Sequence, residues 1–388
     1  MPRLYSRRHA LAAGAAGALA ARFAAADEKT YKACVIGHTG RGNYGHGLDK
    51  AFQGFSNITV AAVADPNEKG RDAALKRTGA QRAYADYREM LEKEKPQLVS
   101  LGMRWVEKRL EMITAIAESG AHVFMEKPIA ESLEEADAII AVAEKHKIKI
   151  AVGHHMRLVP AILHLKKSVD DGLLGEILEV RTRGKEDHRA GGEDLMVLGT
   201  HCLYLMRLFC GEPQWCSARV TQNGKDITRE DARAATEPLG PVAGDTIHAT
   251  YAFANGVQGF FDSQKARKTK DAFQCVVYGS KGVAQFIIDV NAQIFWLNDP
   301  AWHPGKSGAS WQPLPGSPPN ECDGLKGFDG ANRALVKEWL REIEGGGESA
   351  GSIYHARRTL EMIMAVYASH LKGARVPFPL AERKHPLV

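Results

Sequence analysis

The feature that most restricts this chain is a glycine-rich turn set between two apolar runs, the second of which ends in an acid. Lys32–Ile36 reads as a buried strand and leads into Gly37-His38-Thr39-Gly40-Arg41-Gly42-Asn43-Tyr44-Gly45. Gly40, Gly42 and Gly45 have the G-x-G-x-x-G spacing. Ile58–Ala64 is a second strand, and Asp65 follows it, 23 residues beyond Gly42. Such glycines permit a tight turn and a close backbone approach, and a helix opening after them turns its free N–H groups toward a diphosphate. A carboxylate at the tip of the second strand accepts from a ribose 2′-OH and repels a 2′-phosphate, which predicts NAD, with NADP as the alternative. The predicted cofactor contacts here are Gly37, Thr39, Gly40, Arg41, Gly42, Asn43 and Asp65. A helix N-cap or turn acid is the other reading of Asp65.

The surrounding pattern extends this unit into a domain. Helical stretches at Gly70–Arg77, Tyr87–Lys93, Glu107–Ser119 and Leu133–His146 alternate with strands at Gln97–Gly102, His122–Met125 and Ile148–Gly153. Strand–helix alternation with short links predicts a parallel sheet covered on both faces. Beyond Pro160 the alternation stops. One helix, Ala161–Asp171, precedes a run of strands at Ile177–Arg183, Ser217–Thr221, Thr246–Phe253, Val257–Asp262, Phe273–Tyr278, Val283–Ile288 and Gln293–Leu297. Asn255-Gly256 and Lys281-Gly282 punctuate adjacent strands as hairpin turns do. The fold class is therefore α/β: an N-terminal Rossmann doubly wound parallel sheet, then an α+β domain with a mostly antiparallel, open sheet. The expected division is a leader over 1–26, a dinucleotide domain over 27–153, a substrate domain over 154–330 and helices over 331–388 that pack back on the body. The open sheet face is a candidate surface for a homo-oligomer.

Charge adds the leader and removes a class of partner. The formal charge is +5. Residues 1–26 carry Arg3, Arg7, Arg8 and Arg22 and no acid, so the remainder carries about +1. A body this near neutral gives no support to nucleic-acid binding. The leader itself has an Arg7-Arg8 pair, an Ala/Gly-rich apolar stretch and a small-residue end at Ala24-Ala25-Ala26, the order of a twin-arginine export signal. Export to the periplasm is the resulting expectation. No apolar run approaches a membrane span. Six cysteines occur without a Cys-x-x-Cys pair, and no His/Asp/Glu spacing argues for a metal.

Further along, Val123-Phe124-Met125-Glu126-Lys127-Pro128 resembles the Glu-Lys-Pro segment of the Gfo/Idh/MocA family, named for glucose-fructose oxidoreductase, inositol dehydrogenase and a rhizopine-catabolism protein. Gly153 through Pro160, Asp171–Glu176, and the set Gly191-Gly192, Gly199, His201, Arg207 and Gly211-Glu212-Pro213 resemble further segments of that family in order. The likeness runs from Lys32 onward. It implies that Lys127 and His201 are catalytic, holding a substrate hydroxyl and exchanging its proton, and that Arg104, Trp105, Glu126 and Lys127 lie along the cofactor. It implies an NAD(P)-dependent oxidoreductase acting on a sugar, glycoside or cyclitol, and because an exported protein cannot count on free coenzyme, a tightly bound, recycled one is expected.

Departures from the family pattern mark the substrate side. Members often have Asp four residues before this His and another three after it; this chain has Val197 and Tyr204. Glu193 or Asp194 is the expected substitute carboxylate. The usual Ala-Thr-Pro is Met103-Arg104-Trp105, and its following His is Arg109. Arg157, Lys185, His188, Glu193, Asp194 and Tyr204 are the candidate substrate contacts. A lyase or hydrolase working by transient sugar oxidation, and a saccharide-binding protein without catalysis, stand as alternatives to net dehydrogenation.

Overall fold

The computed structural model describes residues 29–265, 272–305 and 307–388. The leader expected over 1–26 lies outside the described residues. Six parallel strands form the first sheet: β1 (Tyr31–Ile36), β2 (Ile58–Ala64), β3 (Arg82–Tyr84), β4 (Leu98–Leu101), β5 (His122–Met125) and β6 (Ile150–Val152), in the order β3-β2-β1-β4-β5-β6. This is the doubly wound order, whose crevice opens at the carboxyl ends of β1 and β4. Four helices cover it: α1 (Glu68–Thr78), α2 (Tyr87–Glu94), α3 (Arg109–Glu118) and α4 (Leu133–His146). Asn67, Asp86 and Ser132 cap α1, α2 and α4 through their side chains. Each supplies an acceptor to a first-turn N–H that has none within the helix.

The helix expected after the glycine turn is absent. A three-residue 3-10 turn, Leu48–Lys50, stands in its place. Gly40, Gly42, Gly45 and Gly47 all have positive φ, between 59° and 86°, so the chain keeps turning instead of entering a right-handed helix. The sheet face left uncovered is closed from the other end of the chain. Helix α8 (Gly327–Ile343) lays Leu335, Val336, Trp339 and Leu340 against Leu48, Phe52, Leu98 and Phe124. Trp339 is fully buried there, with rings of Phe52 and Phe124 at 6.4 and 6.1 Å.

After α5 (Pro160–Asp170) comes the second sheet, built on β7 (Ile177–Arg183), β8 (Pro213–Gln222), β9 (Thr246–Phe253), β10 (Gln258–Gln264), β11 (Gln274–Gly279), β12 (Val283–Ile287) and β13 (Ile294–Leu297). It is mostly antiparallel, as expected. One pair departs from the hairpin expectation: β7 enters between β10 and β11 and pairs parallel to β10. One face packs on helices α7 (Gly199–Cys210) and α9 (Ile353–Lys372). The other carries half-buried and exposed side chains, including Arg181 stacked 4.5 Å from the Phe260 ring centroid. All six cysteines are unpaired thiols.

The helix expected over Leu195–Leu208 is two helices, α6 (Gly192–Val197) and α7, broken at Leu198. The break has a local consequence. In an uninterrupted helix the His201 N–H would bond the Val197 carbonyl; instead it bonds Leu198 O at 2.9 Å. The Val197 carbonyl is thereby freed from the ladder.

Candidate active site

The crevice at the ends of β1, β2 and β4 holds a cavity of about 330 Å³ lined by Gly37, His38, Asp65, Asp86, Met103 and Trp105, among others. Its place is that of the adenosine half of a dinucleotide. Gly40 (φ +86°) has open space beside it, whereas a Cβ on Gly42 (φ +83°) would lie 2.7 Å from Arg104 N. So Gly42 is required by close packing of the turn on the β4 loop, while Gly40 is open to solvent. Arg41 crosses the mouth, pairing with Glu107 and lying 5.1 Å from the Trp105 ring centroid. Asn43 (φ 52°) accepts from Gly40 N at 2.9 Å and holds the turn's shape.

Asp65 lines this cavity and is at the same time engaged by protein donors. It is fully buried, and its oxygens accept from Thr39 N (3.0 Å), Thr39 Oγ1 (2.7 Å), Tyr44 OH (2.9 Å) and Asn67 N (2.9 Å). A charge taken out of water must be met by donors, and here the glycine turn supplies them. Through these contacts Asp65 ties the turn to the end of β2.

Glu126 is likewise spent. Fully buried, it accepts from His46 N at 2.6 Å, His46 Nδ1 at 2.7 Å and Lys127 N at 3.1 Å. Burial pushes its pKa up, but His46 and then Lys127 beside it outweigh this and hold its carboxyl down to about 2. Arg109, singled out in the sequence only as a departure, turns out to organise the site. It is 1% exposed and donates to the carbonyls of Glu126 (2.6 Å), Pro128 (3.3 Å), Met103 (2.9 Å) and Trp105 (3.2 Å). One guanidinium thus fixes the β4 loop against the Glu126–Pro128 turn. Burial lowers its pKa to about 10, so it stays a cation.

Lys127, at the end of β5, is 4% exposed, and its Nζ donates to the freed Val197 carbonyl at 2.9 Å. The helix break at Leu198 therefore supplies the tether. Burial lowers the lysine pKa, Glu126 and Glu237 oppose this, and Arg189 and Arg104 add to it. His201 stands in the first turn of α7, 5% exposed, with its pKa well below the ordinary range because of burial and the neighbouring Lys127. It is a neutral imidazole. Its Nδ1 is buried without a hydrogen-bond partner among the described residues, as are His154 Nδ1 and Arg104 Nε. Arg104 Nη2 lies 3.7 Å from Glu237.

The expected substitute carboxylates serve the scaffold instead. Asp194 accepts from Lys185 N and Glu186 N, each at 3.1 Å, and from Ser263 Oγ at 2.6 Å. Glu193 accepts from Thr236 N at 3.1 Å and from Thr236 Oγ1. Both side chains are buried and their oxygens face protein donors, so neither reaches His201 as an orienting acid. Tyr204 is 1% exposed and donates to Ala350 O; burial pushes its hydroxyl up to about 12. It packs, with Arg157 stacked 4.8 Å from its ring centroid and His154 at 4.8 Å. Lys185 is half-buried, and His188 has a side chain 74% exposed beside Asp187. The loop Ala232–Val242 crosses from the second domain, where Pro238 O accepts from Val106 N at 3.2 Å. Nothing in the local sequence distinguishes that loop from a surface excursion.

Residues 31–154 match the oxidoreductase family with an NAD-binding Rossmann fold, and residues 162–285 match the GFO/IDH/MocA C-terminal domain. The chain is 24% identical over 249 residues to the levoglucosan dehydrogenase of Pseudarthrobacter phenanthrenivorans, covering 58% of this chain and 64% of that one. It is 23% identical over 376 residues to the D-apiose dehydrogenase of Paraburkholderia graminis, covering 93% of each. A solved levoglucosan dehydrogenase in complex with NADH and levoglucosan superposes with a TM-score of 0.72 at 19% identity, over 90% of this chain and all of that one. A glycine turn at the head of a doubly wound sheet, a buried lysine at the end of its fifth strand and an open second sheet are thus one connected design, and the chain belongs to the GFO/IDH/MocA family of NAD-binding oxidoreductases.

Proposed function

We propose that the protein oxidises a hydroxyl of a sugar, glycoside or cyclitol, with Lys127 and His201 holding that hydroxyl between the two domains. The observation that carries this reading is the tether: Lys127 Nζ is drawn to Val197 O at 2.9 Å, four residues before a buried, neutral His201. One ammonium proton is used by that carbonyl, and the others remain to bond a substrate oxygen. His201, uncharged, accepts the hydroxyl proton. Its pKa is held down, so it remains a base over the working range. The nicotinamide, when bound, supplies the acceptor for the carbon-bound hydrogen. The residues that would hold the coenzyme are the Gly37–Gly45 turn, Arg41, Trp105 and the walls of the 330 Å³ cavity, and open space at Gly40 suits a backbone approach. The polyhydroxylated compounds for which the relatives are named support the substrate class.

The Arg7-Arg8 leader supports export in the folded state by the twin-arginine route, to the periplasm. Free coenzyme is scarce there, so a retained NAD recycled within each turnover follows, with NADP the less favoured form. Self-association through the open face around Arg181 and Phe260 belongs to the same reading, and light scattering on the purified protein tests it. The central experiment is native purification followed by mass analysis of any co-purifying dinucleotide, then a panel of sugars, cyclitols and glycosides with near-ultraviolet absorbance as the readout. A bound nicotinamide coenzyme reduced by at least one member of the panel is expected. Calorimetry on stripped protein that finds no affinity for either coenzyme would overturn the proposal.

A further inference from the structure

What orients His201 is the question left open once Val197 stands where the family often has a carboxylate. Glu193 and Asp194 are bonded elsewhere, Tyr204 donates to Ala350 O, and Lys127 is a donor that gives its proton to Val197 O. The neighbour that remains is His154, 2% exposed, just beyond β6. Its Nε2 lies 2.8 Å from Thr200 Oγ1, the residue before His201 on α7. Its ring meets the His201 ring edge-on, with centroids 5.9 Å apart and planes at 81°. Each ring has its Nδ1 buried with no hydrogen-bond partner among the described residues. Two such nitrogens on neighbouring rings are a costly arrangement unless something joins them.

We propose that His154 is the positioning residue for His201: one buried water joins the two Nδ1 atoms, accepting from His201 and donating to His154. Ring centroids 5.9 Å apart put the two rings within reach of a single bridging water, whose N–H···O and O–H···N legs are roughly 2.8–3.0 Å. A buried water needs at least two polar partners, and these are two. The direction is part of the proposal: with His154 Nε2–H donating to Thr200 Oγ1 across their 2.8 Å contact, His154 Nδ1 is left as the acceptor. The water then accepts from His201 Nδ1–H, and the His201 Nε2 lone pair faces the substrate. This is the tautomer a general base requires. Both rings stay neutral, His154 down to about 3, because burial and the cation on Lys127 disfavour a second charge. The groups around the pair are Lys127, His155, His46, Arg207 and Glu126, with Phe273 and Tyr204 as apolar walls. The inference rests on the reading of His201 as the base, and a histidine thereby does through water what a carboxylate does directly.

The test reads the tautomer without a substrate. The full-length protein is labelled with ring-¹⁵N histidine, and long-range ¹H–¹⁵N correlations are recorded, with His201→Gln assigning the His201 signals. The wild type should show His201 as the Nδ1–H tautomer. His154→Phe should move it to a mixture or to Nε2–H, His154→Asn, which restores an acceptor, should return it, and Thr200→Val should shift it in the same direction by less. Should His154→Phe compromise folding, Thr200→Val carries the comparison. A His201 that is Nε2–H in the wild type, or Nδ1–H and unmoved in every variant, overturns the proposal. Calorimetric titration of the coenzyme-stripped wild type with NAD⁺ runs alongside. Failure of the dehydrogenase reading appears there as absent binding and leaves the tautomer result standing on its own.

Discussion

The two sides of the crevice treat their polar groups in opposite ways. On the dinucleotide side, Asp65 and Glu126 are fully buried acids whose oxygens accept from the glycine turn and the residues beside it. On the substrate side, His154 and His201 each keep a buried nitrogen without a hydrogen-bond partner among the described residues. Both sets of groups are buried and polar, yet only the two acids are saturated. A saturated network rigidifies and fixes shape, while an unsaturated one holds binding capacity in reserve. The first builds a cradle, and the second marks where chemistry is left to be done.

Four experiments break or sharpen this contrast. Lys127→Met should produce the largest effect, lowering the turnover of an accepted sugar by about 10²–10⁴-fold while coenzyme affinity changes only a few-fold. A variant as fast as the wild type would remove the lysine from the substrate side altogether.

Acid comes next. Burial lowers the pKa of His154 to about 3 and of His155 to about 4, against an ordinary 6.5, and lowers His201 as well. The unfolded chain binds protons that the folded chain refuses, so stability is full above about pH 6.5 and is lost as pH falls toward 4. Each histidine contributes a slope of up to about 1.4 kcal/mol per pH unit. Urea midpoints measured from pH 7 to 4.5 should fall steeply, and less steeply in His155→Gln; a flat profile would mean that these rings are hydrated and the substrate side is not buried.

Arg109→Met should cost about 3 kcal/mol in urea unfolding, since four buried carbonyls lose one charged donor. An unchanged midpoint would show that the β4 loop holds its place without the clamp. Asp65→Asn is the smallest of the four and the sharpest for the comparison. If Asp65 is a scaffold acid, the coenzyme-free protein loses about 1–2 kcal/mol. A pure ribose reader would leave coenzyme-free stability untouched and change only the preference between NAD and NADP.

Local pattern carried most of the architecture. The strands at His122–Met125, Ile177–Arg183 and Thr246–Phe253 and the helix at Leu133–His146 have the limits that their periodicity predicts. Periodicity depends on neighbours a few residues away, and those are visible in any sequence. Three features lay outside it. The missing helix after Gly45 follows from the positive φ of Gly40, Gly42, Gly45 and Gly47, a conformation the spacing alone does not specify. The parallel β7–β10 pair joins segments about eighty residues apart. The fates of Asp65, Glu193 and Asp194 are decided by partners 26, 43 and 69 positions distant, at Thr39, Thr236 and Ser263. Lys127 and His201 were nameable because a family resemblance supplies long-range information that residue chemistry does not. Arg109 had no such support: a charged residue among apolar ones on a helix face reads as solvated until its four carbonyls are seen.

The seating of Trp339 between Phe52 and Phe124 has a bearing on how the protein is made. The sheet that is synthesised first has one flank finished by a helix that leaves the ribosome almost two hundred residues later. Until then a patch of aromatic surface stays bare. The N-terminal half is consequently a poor unit for separate expression or for domain grafting, and its maturation is bound to completion of the whole polypeptide.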